Sequence, residues 1–157
     1  AFNMTVIGIS SGVRAVAGFD RIEDRSKLLQ VVPELDYFVV LTPYSPATRH
    51  IIDAQVLGAM KPSAYLINLA RGGVLDEDAL LRALQHKKIA GAALDALATE
   101  PLPKDNPLWT LPNVYITPHI GGFCDTYVLD AAKQFEHNLA AFAAGQPDKM
   151  IHREKRN

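Results

Sequence analysis

Short apolar runs alternate along this chain with segments of helical period. MTVIGI (residues 4–9) is β-branched and apolar, with turn residues behind it. YFVVL (residues 37–41) is continuously apolar, the pattern of a strand buried on both faces. AYLINL (64–69), GAALDA (91–96) and VYIT (114–117) repeat that pattern, and residues 19–22 read as a further short edge strand. Between these runs, residues 26–32 begin at a serine cap and stop before Pro33. Residues 53–60 open on their own aspartate cap. Residues 76–88 form the clearest helix: Asp76, Glu77 and Asp78 stand at its start and His86, Lys87 and Lys88 at its end, an order that complements the helix dipole. A last long helix is predicted over about residues 125–144. Val128, Ala132, Phe135, Leu139 and Phe142 share one face of it, and Gly145 and Pro147 end it. Strands alternating with helices predict an α/β fold, a doubly wound and mostly parallel sheet covered on both faces.

Composition narrows the class. Of 157 residues, 48% are hydrophobic and 21% charged, which excludes global disorder. The formal net charge of −1 gives no electrostatic reason to expect nucleic acid or a membrane surface as partner. No uncharged apolar run is long enough for a membrane helix. The opening AFNMTVIGIS lacks a basic n-region and a cleavage pattern. The single cysteine, Cys124, excludes an internal disulfide and a cysteine-based zinc site, and no metal site is expected. These features predict a soluble, cytoplasmic protein.

In a doubly wound sheet, ligands bind beyond the carboxyl ends of the strands. Ser10, Ser11 and Arg14 follow the first strand of this chain, and Thr42 and Pro43 follow the 37–41 strand. Leu69, Ala70 and Arg71 follow the next, and Asp95 closes the one after, with Glu100 close behind. His119, Gly121 and Gly122 follow the last. A single arginine is usually a solvated charge, and a single histidine a structural one. An arginine, a glutamate and a histidine beyond the same sheet edge make a site.

At these residues the chain resembles the D-isomer-specific 2-hydroxyacid dehydrogenases over nearly its whole length. INLARGGVLDEDALLRAL (67–84) matches that family's nucleotide-domain signature almost throughout, and GAALDALATEPLP (91–103) and NVYITPHIGG (113–122) follow at the family's spacing. The resemblance implies a Rossmann-like domain that binds NADP or NAD, and hydride transfer to a small 2-keto carboxylate or from a 2-hydroxy carboxylate, with glyoxylate or hydroxypyruvate as the family-level expectation. It implies that Arg71 orients the substrate through its carboxylate and carbonyl, that His119 is the general acid–base, and that Glu100 tunes and orients His119. Asp95 then contacts the nicotinamide end. Leu69, Ala70, Thr42 and Pro43 line the cofactor, and Gly121 and Gly122 allow close backbone approach. Cys124, Trp109, Phe123 and Tyr127 are read as bystander or packing residues, and His50, His86, His137 and His152 as surface residues. Family members are usually homodimers.

Two departures matter. NAD-preferring Rossmann enzymes place an acidic residue at the end of the second strand. The corresponding position is Ser10, followed by Ser11 and Arg14, which predicts a preference for NADP(H). The chain also has no GxGxxG. In the family, the first strand, its Gly-rich turn and the next helix precede a segment like AFNMTVIGIS, and most of the substrate-binding domain comes earlier still. The expectation is therefore an incomplete Rossmann domain over residues 1–145, with a tail, 146–157, returning toward an absent substrate domain. The N-terminal part is then the chain's partner, and the fragment is inactive alone. The absent strand normally lies between the 4–9 and 37–41 strands, so two apolar edges are left unpaired. Two other readings stay open: a dinucleotide-sensing corepressor-like protein of the same fold, and a phosphite dehydrogenase-like enzyme. Glu100 argues against a formate-type relative, which typically has glutamine there.

Overall fold

The computed structural model describes residues 3–152. The chain divides into two compact units, Ala1–Gly121 and Gly122–Asn157.

In the first unit, β3 (Tyr37–Val40), β4 (Tyr65–Asn68), β5 (Gly91–Leu94) and β6 (Val114–Ile116) form one parallel sheet in sequence order. Val40 pairs with Asn68, Asn68 with Leu94, and Leu94 with Ile116, so the four carboxyl ends are level and the segments behind them emerge along one edge. β1 (Ile7–Ser10) and β2 (Arg21–Asp24) form a separate parallel pair, with Ser10 opposite Asp24. Both strands sit a few residues later than their apolar runs suggest, because backbone pairing and not hydrophobicity sets their ends.

The helices follow their caps. α2 (Ala54–Ala59) starts where the Asp53 carboxylate accepts the N–H groups of Gln55 and Val56. α3 (Glu77–Gln85) starts where Asp76 accepts the N–H of Ala79 at 2.9 Å. The 26–32 helix is corrected. A 3-10 turn over Arg25–Lys27 leads into α1 (Leu28–Val31) and a second turn over Val32–Glu34. Its cap is Asp24, whose side chain accepts from Ser26, so Ser26 is the capped residue. Val32, Leu57, Leu66, Val74, Leu75, Leu80, Ile89 and Leu94 are almost wholly buried between the helices and one face of the four-stranded sheet. Each such side chain contributes about 1.5–3 kcal/mol by leaving water.

The opposite face of the sheet carries exposed side chains. Phe38 and Val40 point into the core, while Tyr37 (53% exposed) and Val39 (45%) face outward, as does Tyr115. The Tyr37 ring stacks on that of Tyr65 at 6.0 Å. Between the β1–β2 pair and β3 runs a cavity of about 840 Å³, lined by Val6, Gly8, Phe19, Phe38 and Val40 among others. No strand bridges it, so β1 and β3 each have one edge without a strand partner among the described residues.

In the second unit, α4 (Tyr127–Ala143) is shorter than expected by about a residue or two at each end. Its apolar stripe is exposed: Val128, Phe135, Leu139 and Phe142 are all open, and Ala141 is the buried residue of the helix. Phe123, Tyr127 and Cys124 are also exposed rather than packed, and so, in the first unit, is Trp109. The Trp109 indole N–H reaches the carbonyl of Pro103 at 2.9 Å. Gly145, at φ +67°, takes the left-handed conformation that ends the helix. The Asn138 side chain then bonds both backbone groups of Ile151. Of the expected 146–157 tail, residues 153–157 lie outside the described residues. Among the described residues no helix is long and apolar enough to cross a membrane.

Candidate active site

Arg71 is carried on the turn after β4, and Asn68 shapes that turn. Asn68 is fully buried; its Oδ1 accepts the N–H of Ala70 at 3.1 Å, and its Nδ2 donates to the carbonyls of Arg71 and Ala96. A buried amide satisfied on three sides fixes the backbone on which Arg71 stands. The arginine is exposed, and Nη1 donates to the carbonyl of Ala70 at 2.6 Å. Gly72 is obligatory, since a Cβ there would overlap the backbone of Leu97 and Ala98. The Arg71 turn therefore lies directly against the turn that leads to Glu100.

That second turn is held from two sides. Glu100 Oε1 accepts the N–H of Leu97 at 2.8 Å, and Glu77, in the first turn of α3, accepts the N–H of Ala98 at 2.6 Å. Burial pushes the Glu77 carboxyl above its ordinary range, although the Ala98 bond opposes this. Glu100 Oε2 lies 2.8 Å from His119 Nδ1. An ionised carboxylate can only accept, so Nδ1 carries the proton of this bond and Nε2 is left for other chemistry. The bond from His119, with the Leu97 N–H behind it, holds Glu100 below the usual carboxylate range.

His119 has φ +54°, in the left-handed region where histidine is uncommon but tolerated. Asp95 holds it there. Its carboxylate, at the end of β5 and only 6% exposed, accepts the Thr117 hydroxyl at 2.5 Å, the Ile120 N–H at 2.9 Å and the Gly121 N–H at 2.8 Å. These donors, the Thr117 hydroxyl first, hold its pKa below the ordinary value. Gly121 is pressed so close that a Cβ would lie 2.7 Å from Asp95 Oδ2. Asp95→Ala is expected to lower stability by about 1–3 kcal/mol, through donors left unpaired. Because folding depresses the Asp95 pKa, this contribution is present above the unfolded carboxylate value of about 4 and disappears as pH falls through the folded value. Thermal melts of both proteins from pH 7 down to 2 should therefore converge at the acid end.

Arg71, Glu100 and His119 line one cavity of about 770 Å³ with Leu69, Ala70, Thr42 and Pro43. Leu41, Thr42 and Pro43 also line the slot beside β3, whose wall includes Ser10, Ser11 and Arg14. Gly122 belongs to the second unit, and a Cβ there would meet no protein atom within 4 Å. Sequence reasoning missed Tyr44, whose ring packs over Gly73 in the Arg71 cavity. It also missed Asn68, Glu77 and Thr117 as supports. A buried asparagine inside the apolar run AYLINL was the one available signal. Among the described residues no group of three or more His, Cys, Asp or Glu is placed to hold a metal.

Comparison with known proteins gives one consistent result. The family described as "D-isomer specific 2-hydroxyacid dehydrogenase, NAD binding domain" matches residues 1–121. Glyoxylate/hydroxypyruvate reductase B of Pectobacterium carotovorum is 44% identical over 116 residues, which cover 74% of this chain and 36% of that protein. Among solved structures, a D-isomer specific 2-hydroxyacid dehydrogenase from Xanthobacter autotrophicus in complex with NADPH superposes with a TM-score of 0.83 at 36% identity, covering 90% of this chain and 58% of the other. The NADPH-dependent glyoxylate/hydroxypyruvate reductase of Sinorhizobium meliloti, in complex with NADP and sulfate, gives 0.85 at 31% identity, covering 96% and 48%. The chain spans less than half the length of the curated relatives it matches.

Proposed function

The chain belongs to the D-isomer-specific 2-hydroxyacid dehydrogenase family through its NAD-binding domain, and from that premise we propose that it supplies the cofactor site and the proton-transfer machinery of a 2-keto-acid reductase. The observation that carries the reading is the convergence of Arg71, Glu100 and His119 on one cavity at the carboxyl edge of a parallel sheet.

The residues along that edge fit a dinucleotide. Leu69, Ala70, Thr42 and Pro43 offer apolar and backbone surface. Ser10, Ser11 and Arg14 offer hydroxyl and guanidinium donors at the end of β1, with no carboxylate among them. A bound nicotinamide supplies the hydride. Arg71 holds the substrate carboxylate through paired N–H groups and polarises the neighbouring carbonyl. His119 gives the proton on Nε2 to the carbonyl oxygen and takes it back in the reverse direction. Glu100 fixes the imidazole through Nδ1 and balances the charge of the protonated ring. The clustering of donors around Asp95 keeps the His119 turn in place while the ring changes protonation state.

The slot between β1 and β3 supports a second element of the reading: a parallel strand from polypeptide outside these 157 residues completes the sheet there. In the common order of doubly wound sheets, 3-2-1-4-5-6, the strand at this position is the one followed by the Gly-rich phosphate turn. A polypeptide that includes this strand and a substrate domain is expected to reduce glyoxylate or hydroxypyruvate. Its kcat/KM with NADPH should exceed that with NADH by about tenfold or more, the scale of one charge-assisted contact. Steady-state assays with both cofactors test this. Binding of dinucleotide without turnover of any 2-keto acid would refute the enzymatic reading, and a clear NADH preference would refute the cofactor assignment.

A further inference from the structure

We propose that Arg25 is a second guanidinium for a phosphate monoester bound beside Ser10, Ser11 and Arg14, so that the phosphate on the adenosine ribose of NADP(H) lies between two arginines. The inference rests on the NADP reading above and extends it to a residue that neither the sequence motifs nor the family match singles out.

Placement comes first. Arg25 is the residue immediately after β2, and β2 pairs in parallel with β1 so that Asp24 stands opposite Ser10. Arg25 therefore leaves the sheet at the same carboxyl edge as Ser10 and Ser11. Arg14 and Arg25 line the same cavity as both serines.

The electrostatic surroundings come second. Arg25 is partly buried, yet its guanidinium makes no ion pair or side-chain hydrogen bond among the described residues. A guanidinium without such a partner is available to an anion that enters the cavity. Of the carboxylates nearby in sequence, Asp24 has its pKa held down by the Ser26 bonds and, in addition, by the charge of Arg25, but all of them make their hydrogen bonds and ion pairs with other groups. Asp24 accepts the N–H and hydroxyl of Ser26 at 2.9 and 2.7 Å. Glu23 pairs with Lys27 at 2.9 Å and with Arg21 at 3.6 Å. Asp20 accepts the N–H of Val6 at 2.7 Å. Arg21, on the same strand, has Glu34 as its partner. Arg25 is thus the cation of this cluster left open toward the cavity.

Chemistry comes third. A phosphate monoester carries a charge of about −1.5 to −2 at pH 7. One guanidinium leaves it under-neutralised, and the planar fork of a second one matches its remaining oxygens. Two serine hydroxyls can donate to the same group. An unphosphorylated ribose would leave both guanidinium groups without an anion, so the pair discriminates through attraction.

The test uses the polypeptide that completes this domain and needs no turnover. Calorimetric titration with 2′,5′-ADP and with 5′-AMP measures the discrimination due to the 2′-phosphate. The unaltered chain is expected to bind 2′,5′-ADP more tightly. Arg25→Ala is expected to weaken 2′,5′-ADP binding about 10- to 100-fold and leave 5′-AMP unchanged. Arg25→Lys is expected to fall between, since it keeps the charge and loses the fork. Circular dichroism and melting of each variant establish that the fold is intact. If the unaltered chain discriminates and Arg25→Ala discriminates equally well, the Arg25 inference is overturned and the NADP reading stands. Equal loss of both ligands in Arg25→Ala also overturns it, because the residue then acts on the fold. If the unaltered chain does not discriminate, the NADP reading fails and the Arg25 proposal fails with it.

Discussion

Replacing His119 by glutamine is expected to lower kcat about 10²- to 10⁴-fold, with KM changed little, in the polypeptide that completes this domain. The imidazole bonds Glu100 through Nδ1 at 2.8 Å, so Nε2 is the atom left to exchange a proton with the substrate oxygen. Glutamine fills similar space and can still donate to Glu100, but it cannot titrate. The loss should therefore fall on the chemical step and not on binding. Glu100→Gln separates the partner's role from that of the histidine. Glu100 sits below the ordinary carboxylate range, so it is ionised throughout the neutral region, and its charge is lost only as pH falls through that depressed value. Glu100→Gln removes that charge at every pH and leaves one acceptor oxygen where two now serve the His119 Nδ1–H and the Leu97 N–H. Its kcat should fall less than that of His119→Gln, and its pH–rate profile should differ in shape from that of the unaltered enzyme. Steady-state kinetics from pH 5 to 9 on the two variants are the measurement. A His119→Gln enzyme of full rate would remove the proposed mechanism.

The second large effect concerns Arg71. Arg71→Ala is expected to reduce kcat/KM about 10²- to 10³-fold, with a marked rise in KM, because paired charge-assisted bonds to a carboxylate are lost in both ground and transition states. Arg71→Lys restores the charge but not the fork, and should recover only part of the loss. The turn beneath the arginine makes this a clean substitution. Asn68 bonds backbone groups at Ala70, Arg71 and Ala96, and Gly72 packs on the Leu97 and Ala98 backbone, so the substitution removes from the turn only the Nη1 bond to the Ala70 carbonyl. Guanidinium ion added to the Arg71→Ala enzyme should restore part of the rate. Recovery without a fall in KM would contradict an anchoring role.

Much of this was legible in the chain itself. The order of strands and helices follows from runs such as YFVVL and AYLINL and from the aspartate caps of α2 and α3, because local burial pattern and capping chemistry are properties of short segments. Placing Arg71, Glu100 and His119 on one edge needed only the parallel alternation of elements. Other features were not legible, and each for its own reason. Ser26 looks like a cap, but Asp24, two residues earlier, is the stronger acceptor and reaches the Ser26 N–H. Tyr37 and Val39 of β3 and the apolar stripe of α4 are residues of buried surfaces, yet they are exposed, since burial depends on the surroundings and not on the residue itself.

The division between the two kinds of information is physical. Sequence by itself determined the element types and their order along the chain, the absence of a Gly-rich phosphate turn and the chemical identity of the site residues, all of which depend on near neighbours or on residue type. Tertiary structure alone decided that Asp95 clamps the His119 turn, that Glu77 braces the Glu100 turn from another helix, and that Arg25 stands with Arg14 along one slot. Those relations join residues up to 26 positions apart, as in the bond from Gly121 to Asp95, and they exist only once parallel pairing has brought the strand ends level.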